Sequence, residues 1–229
     1  NMEAKINLAR IFPSFKKNKC VTYQKYKPRT FISLNYNFQK RIGLYNIQTV
    51  GTSYGYEWYN DKYRHIFSPL NFTYVFPSKI SDSFQTQLDQ NARLKQSFNQ
   101  QFILGQEYSF TYTNQKLNVG KYKNFFYFRG NAFFAGNILF AFSKLAQKDK
   151  ELPYKLGKVD FAQFARFELE PRYFFNFRRG QALALRMFIG VGIPYGNSKY
   201  TTIQTKYNGV DTSFEKEVAV LPYIKQFFA

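Results

Sequence analysis

Ala182-Leu183-Ala184-Leu185-Arg186-Met187-Phe188-Ile189-Gly190-Val191-Gly192 is the stretch whose reading decides the fold. Leu183, Leu185, Met187, Ile189 and Val191 make an unbroken apolar row, and Ala182, Ala184, Arg186, Phe188, Gly190 and Gly192 occupy the places between. A period of two sends these rows to opposite faces of a β-strand.

Outward from that stretch the alternation recurs. Across 161–177, Arg166, Glu168, Glu170 and Arg172 oppose Ala165, Phe167, Leu169 and Tyr173. Across 125–140, Arg129, Asn131 and Asn137 oppose Phe126, Phe128, Phe134, Ile138 and Phe140. Phe102, Leu104, Tyr108, Phe110 and Tyr112 oppose Gly105, Glu107, Ser109 and Thr111, and Ile66, Leu70, Phe72, Tyr74 and Phe76 oppose His65, Pro69, Asn71 and Thr73. Earlier rows are Val50, Tyr54, Tyr56 and Trp58, then Ile32, Leu34, Tyr36 and Phe38, then Met2, Ala4, Ile6 and Leu8. The pattern predicts about eight strands, several longer than the ~9–11 residues that cross a bilayer at a tilt. Strands of soluble sandwiches run to only ~5–6 residues. The expectation is an all-β fold: an antiparallel transmembrane β-barrel, present here in part.

Composition fits that expectation. Of 229 residues 21% are aromatic, with 28 Phe and 19 Tyr, yet mean hydropathy is only -0.45. A barrel strand shows lipid every second residue, so its average hydropathy stays low. No run approaches the ~20 apolar residues of a membrane helix. The net charge of +19 raises nucleic acid as a partner, through phosphate neutralisation. Position argues against it, because Lys16, Lys17, Lys19, Lys25 and Lys27, and Lys144, Lys148, Lys150, Lys155 and Lys158, fall in segments that read as joins. That charge faces anionic head groups, a polar lumen or plain solvent. Cys20 is the single cysteine, which precludes an internal disulfide. The chain opens on Asn1 without a signal peptide, so a mature fragment or a piece of a longer chain is expected.

The joins at 60–62, 118–121 and 178–181 are short and turn-like, whereas 78–101, 146–159 and 197–220 are long; 13–28 is an exception on the short side. Short turns at one rim and long loops at the other match outer-membrane barrels. Within the surface loop 78–101, Ser81 or Ser83 is placed to cap a short helix carrying Phe84, Leu88 and Ala92.

No catalytic constellation is visible. His65 is the only histidine, and nucleophilic or zinc sites need His or Cys companions. Glu107, Glu168 and Glu170 are carboxylates on the polar rows; paired carboxylates serve glycoside hydrolysis, and the preferred reading is ion pairing across strands with Arg166, Arg172 and Arg186. Strand glycines Gly190 and Gly192 mark a close approach to the wall rather than a phosphate loop. No enzyme activity, metal or cofactor is expected.

At the C-terminus, Leu221-Pro222-Tyr223-Ile224-Lys225-Gln226-Phe227-Phe228-Ala229 resembles a stretch of the BamA/TamA family of outer-membrane assembly factors, written P-[FY]-x-x-x-F-[FY]-A. In that family it leads into a glycine pair and a [VI]-R-G-[FY] motif on a loop folded into the lumen. Arg10-Ile11-Phe12-Pro13, Asn35-Tyr36-Asn37-Phe38-Gln39-Lys40-Arg41, Gly55-Tyr56-Glu57-Trp58 and Gly192-Ile193-Pro194-Tyr195-Gly196-Asn197-Ser198 resemble its TamL lipoprotein branch, in order across nearly the whole chain.

The resemblance implies that residues 1–229 are a partial barrel domain, strands four to eleven of sixteen, without the POTRA domains or the first and last strands. It implies that 221–229 starts the inward-folded lumen loop, approached through Pro222, Tyr223, Phe227, Phe228 and Ala229. Lumen-facing wall residues would be Arg129, Asn131, Arg166, Glu168, Glu170, Arg172, Arg186 and Phe188, the last two supporting that loop beside Gly190 and Gly192. The implied function is assembly of outer-membrane proteins by strand templating. The implied partners are outer-membrane lipids, unfolded outer-membrane protein clients and periplasmic assembly partners, with no nucleic acid. A two-partner-type secretion pore of the same superfamily and a porin-like channel are the alternatives.

Overall fold

The computed structural model describes residues 2–8, 28–115, 124–146, 154–156, 159–177, 181–207, 210–217 and 219–227. The expected strands appear as β1 (Met2–Leu8), β2 (Arg29–Arg41), β3 (Tyr45–Tyr59), β4 (Tyr63–Ile80), β5 (Gln101–Thr113) and β6 (Phe125–Ala135). They continue as β7 (Lys155–Leu156), β8 (Val159–Phe161), β9 (Phe164–Asn176), β10 (Ala182–Arg186) and β11 (Ile189–Pro194). A path β1-β2-β3-β4-β5-β6-β9-β10, antiparallel at every step, forms the body of one sheet, and β11 also pairs with β9. The chain is therefore mostly antiparallel sheet. None of the described helices is long and apolar enough to cross a membrane.

The alternation sets two faces. On one, Leu34, Thr52, Phe72 and Leu104 lie side by side across β2 to β5, and Leu169 sits beside Ile189 on β9 and β11. Its large side chains are exposed along the length of the sheet, among them Met2, Ile6, Leu34, Leu70, Leu185 and Val191. The other face carries Glu3, Ser33, Ser53, Glu107, Asn131, Glu168 and Arg186. A cleft of about 210 Å³ there is lined by Glu3 and Lys5 of β1 together with Arg129 of β6. Laid flat, those strands would stand roughly 24 Å apart at ~4.8 Å per step, so the sheet curls around its polar face.

Two local features explain departures from simple alternation. The partners of β4 slip by one residue near Pro69, against β3 and again against β5. Proline cannot donate to a ladder and favours such bulges, and Gly55 makes room, since a Cβ there would lie 2.7 Å from the Phe67 carbonyl oxygen. The bulge reverses the expected sides before it. His65 and Phe67 stand on the apolar face, and Ile66 lines the polar cleft. The decisive stretch 182–192 is split into β10 and β11, yet Arg186↔Arg172 and Ile189↔Leu169 keep one register. Opposite the break stands Pro171, which accepts from the Met187 N–H at 3.0 Å and has no N–H to return.

Other expectations need correction. The row across 125–140 ends as a strand at Ala135. Gly136, at φ 82°, turns the chain into α3 (Asn137–Ala146), so Asn137, Ile138 and Phe140 are helical. The strand across 161–177 begins at Phe164, because Phe161 belongs to β8, which runs parallel to β5. The loop 78–101 holds two helices, α1 (Asp82–Gln90) and α2 (Ala92–Phe98), so Ala92 starts the second helix and is no part of the first. Ser81 caps α1 and Asn91 caps α2, each accepting from backbone N–H groups of the first turn. The long join 197–220 contains a separate hairpin of β12 (Tyr200–Tyr207) and β13 (Val210–Glu217). The joins at 13–27 and 118–121 lie outside the described residues. Antiparallel order puts 60–62 at one rim and α1, α2, α3 and the β12–β13 hairpin at the opposite one.

Candidate functional site

The polar face changes character along its length. Toward the rim with the helices it is apolar and covered. Tyr45, Ile47, Val75, Ile103, Phe133, Ala135 and Phe164 project from the sheet, and Phe84, Leu88 and Phe98 of α1 and α2 pack onto them. Leu221, Tyr223 and Ile224, from the segment 219–227, complete this core. Tyr223 sits edge-on to Tyr45 and 4.4 Å from Phe98, and the Tyr45 and Tyr223 hydroxyls are 2.7 Å apart.

Residues 221–227 then run over β9 and β11. A Cβ on Gly190 would lie 2.5 Å from the Phe227 ring, and one on Gly192 would collide with Leu221. At both places the segment occupies the space a side chain would fill, so a β-carbon there would force Phe227 or Leu221 to shift. Phe188 meets the Phe227 ring edge-on at 5.9 Å, and the Arg166 guanidinium covers it at 4.5 Å. The Lys225 ammonium sits 4.6 Å above Phe133. Burial pushes it below the ordinary lysine range; Glu107 and Glu168 pull it back up, and Arg166 adds to the downward push. Burial, seconded by the hydrogen bond to Tyr45, raises the Tyr223 hydroxyl above its usual range.

Beyond this segment the polar face is ion-paired. Arg172 and Arg186 both bind Glu170, whose side chain is nearly buried, and Arg166 pairs with Glu168. Asn131 donates to Glu107 at 3.2 Å and to Glu168 at 3.3 Å, and Asn71 donates to Glu107 at 2.9 Å. Each carboxylate is held by cations or amides, an arrangement that fixes strand register.

The wall residues named from the sequence, Arg129, Asn131, Arg166, Glu168, Glu170, Arg172, Arg186 and Phe188, thus all stand on the polar face. Pro222, Tyr223 and Phe227 lie over it, and Phe228 and Ala229 fall outside the described residues. Of these, Arg166 and Phe188 touch Phe227, and Arg186 binds Glu170. Sequence reasoning missed Lys225 and the core formed by Tyr45, Phe98 and Phe133. The apolar Tyr45-Asn46-Ile47 start of β3, on the row that later carries Thr49 and Ser53, was the available signal. His65 is stacked on Trp58 at 5.3 Å and bonded to the Tyr108 hydroxyl within an aromatic band. Among the described residues no group of three His, Cys, Asp or Glu side chains is placed to hold a metal ion. Comparison of the chain with protein-family models, with curated proteins and with solved structures finds no match.

Proposed function

We propose that this chain is the middle arc of an outer-membrane β-barrel of the BamA/TamA type, most like the TamL branch, and that the whole protein folds and inserts other outer-membrane proteins. One observation carries the reading most of the way: a curled antiparallel sheet bares an apolar face on one side, while residues 221–227 lie along a glycine track on its polar side. Lipid outside and water inside account for both faces. Aromatics such as Trp58, Tyr63, Tyr108 and Tyr112 crowd one end of the apolar face, as the interfacial girdles of such barrels do.

In this reading β1 and β10–β11, the outer strands of the path, are paired by further strands, since open sheet edges are not tolerated in hydrocarbon. Client strands are templated by an unpaired edge elsewhere in the barrel, and strand addition supplies the driving force without a nucleotide. Outer-membrane lipids, unfolded clients and periplasmic assembly partners are the partners it implies.

The test is reconstitution of the full-length protein in vesicles with a urea-denatured β-barrel client. Faster client folding than in empty vesicles is expected. No acceleration by inserted protein, together with stepwise ion conductance, would favour the secretion pore or porin-like channel instead.

A further inference from the structure

We propose that α3 lies in the head-group layer of an anionic lipid leaflet, with Ile138, Phe142 and Leu145 immersed. The inference rests on the membrane reading above and extends it to a surface outside the sheet. At 100° per residue, Ala141, Leu145, Ile138 and Phe142 fall within an arc of roughly 100°. Phe142 is 68% exposed and Leu145 71%, while Ser143, on the other side, is 7% exposed. The helix is inverted relative to one that faces water, with its hydroxyl inside and its largest apolar groups outside.

Its placement is fixed. The Asn137 side-chain oxygen accepts from Gln163 at 3.2 Å and from the Tyr195 hydroxyl at 2.9 Å, and Phe140 packs 5.5 Å from Tyr154. α3 also begins just past Phe134, an exposed side chain of the apolar face of β6. Charge selects the occupant. Lys144 lies in the last turn, and from there to position 158 the sequence holds five lysines against two acids, Asp149 and Glu151. A short helix with an apolar stripe flanked by lysines is the pattern of interfacial helices on anionic lipid.

The test uses the full-length protein with Cys20→Ser and one nitroxide at position 142, 185 or 87 (F142C, L185C or Q87C), in vesicles of phosphatidylcholine with phosphatidylglycerol. Collisions with oxygen report lipid and collisions with a nickel chelate report water. All three side chains are exposed, so none of the labels disturbs packing. Position 142 is expected to give an oxygen-to-nickel ratio several times that of position 87 and a shallower depth than position 185. The ratio at 142, but not at 185, should fall when phosphatidylglycerol is omitted. A water-like ratio at 142 with a lipid-like one at 185 overturns this inference alone; water-like ratios at both overturn the membrane reading as well. Spin–spin broadening confined to 142 identifies a second copy of the chain as the occupant and refutes lipid. A ratio at 142 indifferent to phosphatidylglycerol refutes the anionic preference.

Discussion

The two ends of the polar face are made by the same strands and the same alternation, yet they are stabilised by different physics. At the covered end, Ile103 and Phe164 are fully buried under α1, α2 and residues 221–224. At the open end Glu170, Arg172 and Arg186 meet beside water, with Arg186 still largely exposed. Burial of apolar surface is worth kilocalories per side chain, whereas ion pairs with an exposed partner are worth little. The covered end therefore holds the fold, and the open end sets register.

The sharpest way to break that contrast is Phe164→Ala. Truncating a buried Phe should cost about 3–5 kcal/mol, read as the shift in a urea titration of the full-length protein in vesicles. A cost no larger than that of Leu34→Ala, on the exposed apolar face, would mean that the covered end is not a core. Gly192→Val tests the boundary between the ends, because its branched side chain must displace Leu221. Overpacking of this kind costs about 1–3 kcal/mol, and trypsin should then cleave after Lys225 faster than in the wild type. Unchanged cleavage would show that the segment does not depend on the glycine track. At the open end, Glu170→Gln should cost only about 1 kcal/mol, because Arg172 and Arg186 regain water when released. A loss matching that of Phe164→Ala would make the ion pairs, and not the core, the principal support.

The same contrast explains what could be read from sequence. Period-two rows made the strands and their faces legible because lipid-side and water-side residues differ in kind, as in Leu185 against Arg186. Legibility failed where one residue alters parity or where burial mixes the types. Pro69 gave no sign that it would shift the register and move His65 to the apolar face. Asn137, Ile138 and Phe140 continued the strand alternation by coincidence, and only the left-handed Gly136 ends β6. The covered end was hidden because its partners, Tyr45, Phe98 and Tyr223, are remote in sequence and no local pattern links them. Gly190 and Gly192 did mark a close approach, since a glycine in a strand has few other reasons to be there.

The smallest effect concerns Lys225, which lies where the two ends meet, between Phe133 and the carboxylates of Glu107 and Glu168. Its folded pKa is lowered, chiefly by burial, so from that value up to about 10.4 the unfolded chain holds a proton that the folded chain has released. Stability therefore rises with pH across this window and is lost as pH falls through the folded value. Tyr223 acts in the opposite direction at higher pH: its raised pKa means that above about 10 the unfolded chain loses a proton which the folded chain keeps, and stability falls. The two together give a maximum between the two unfolded values, at about pH 10.2. Lys225→Met removes the first limb and leaves the second. Its urea midpoint should exceed that of the wild type near neutral pH, with the gap closing as pH rises. A gap that stays constant with pH would show that the ammonium is already solvated, and that residues 221–227 cover the apolar end without sealing off the polar one.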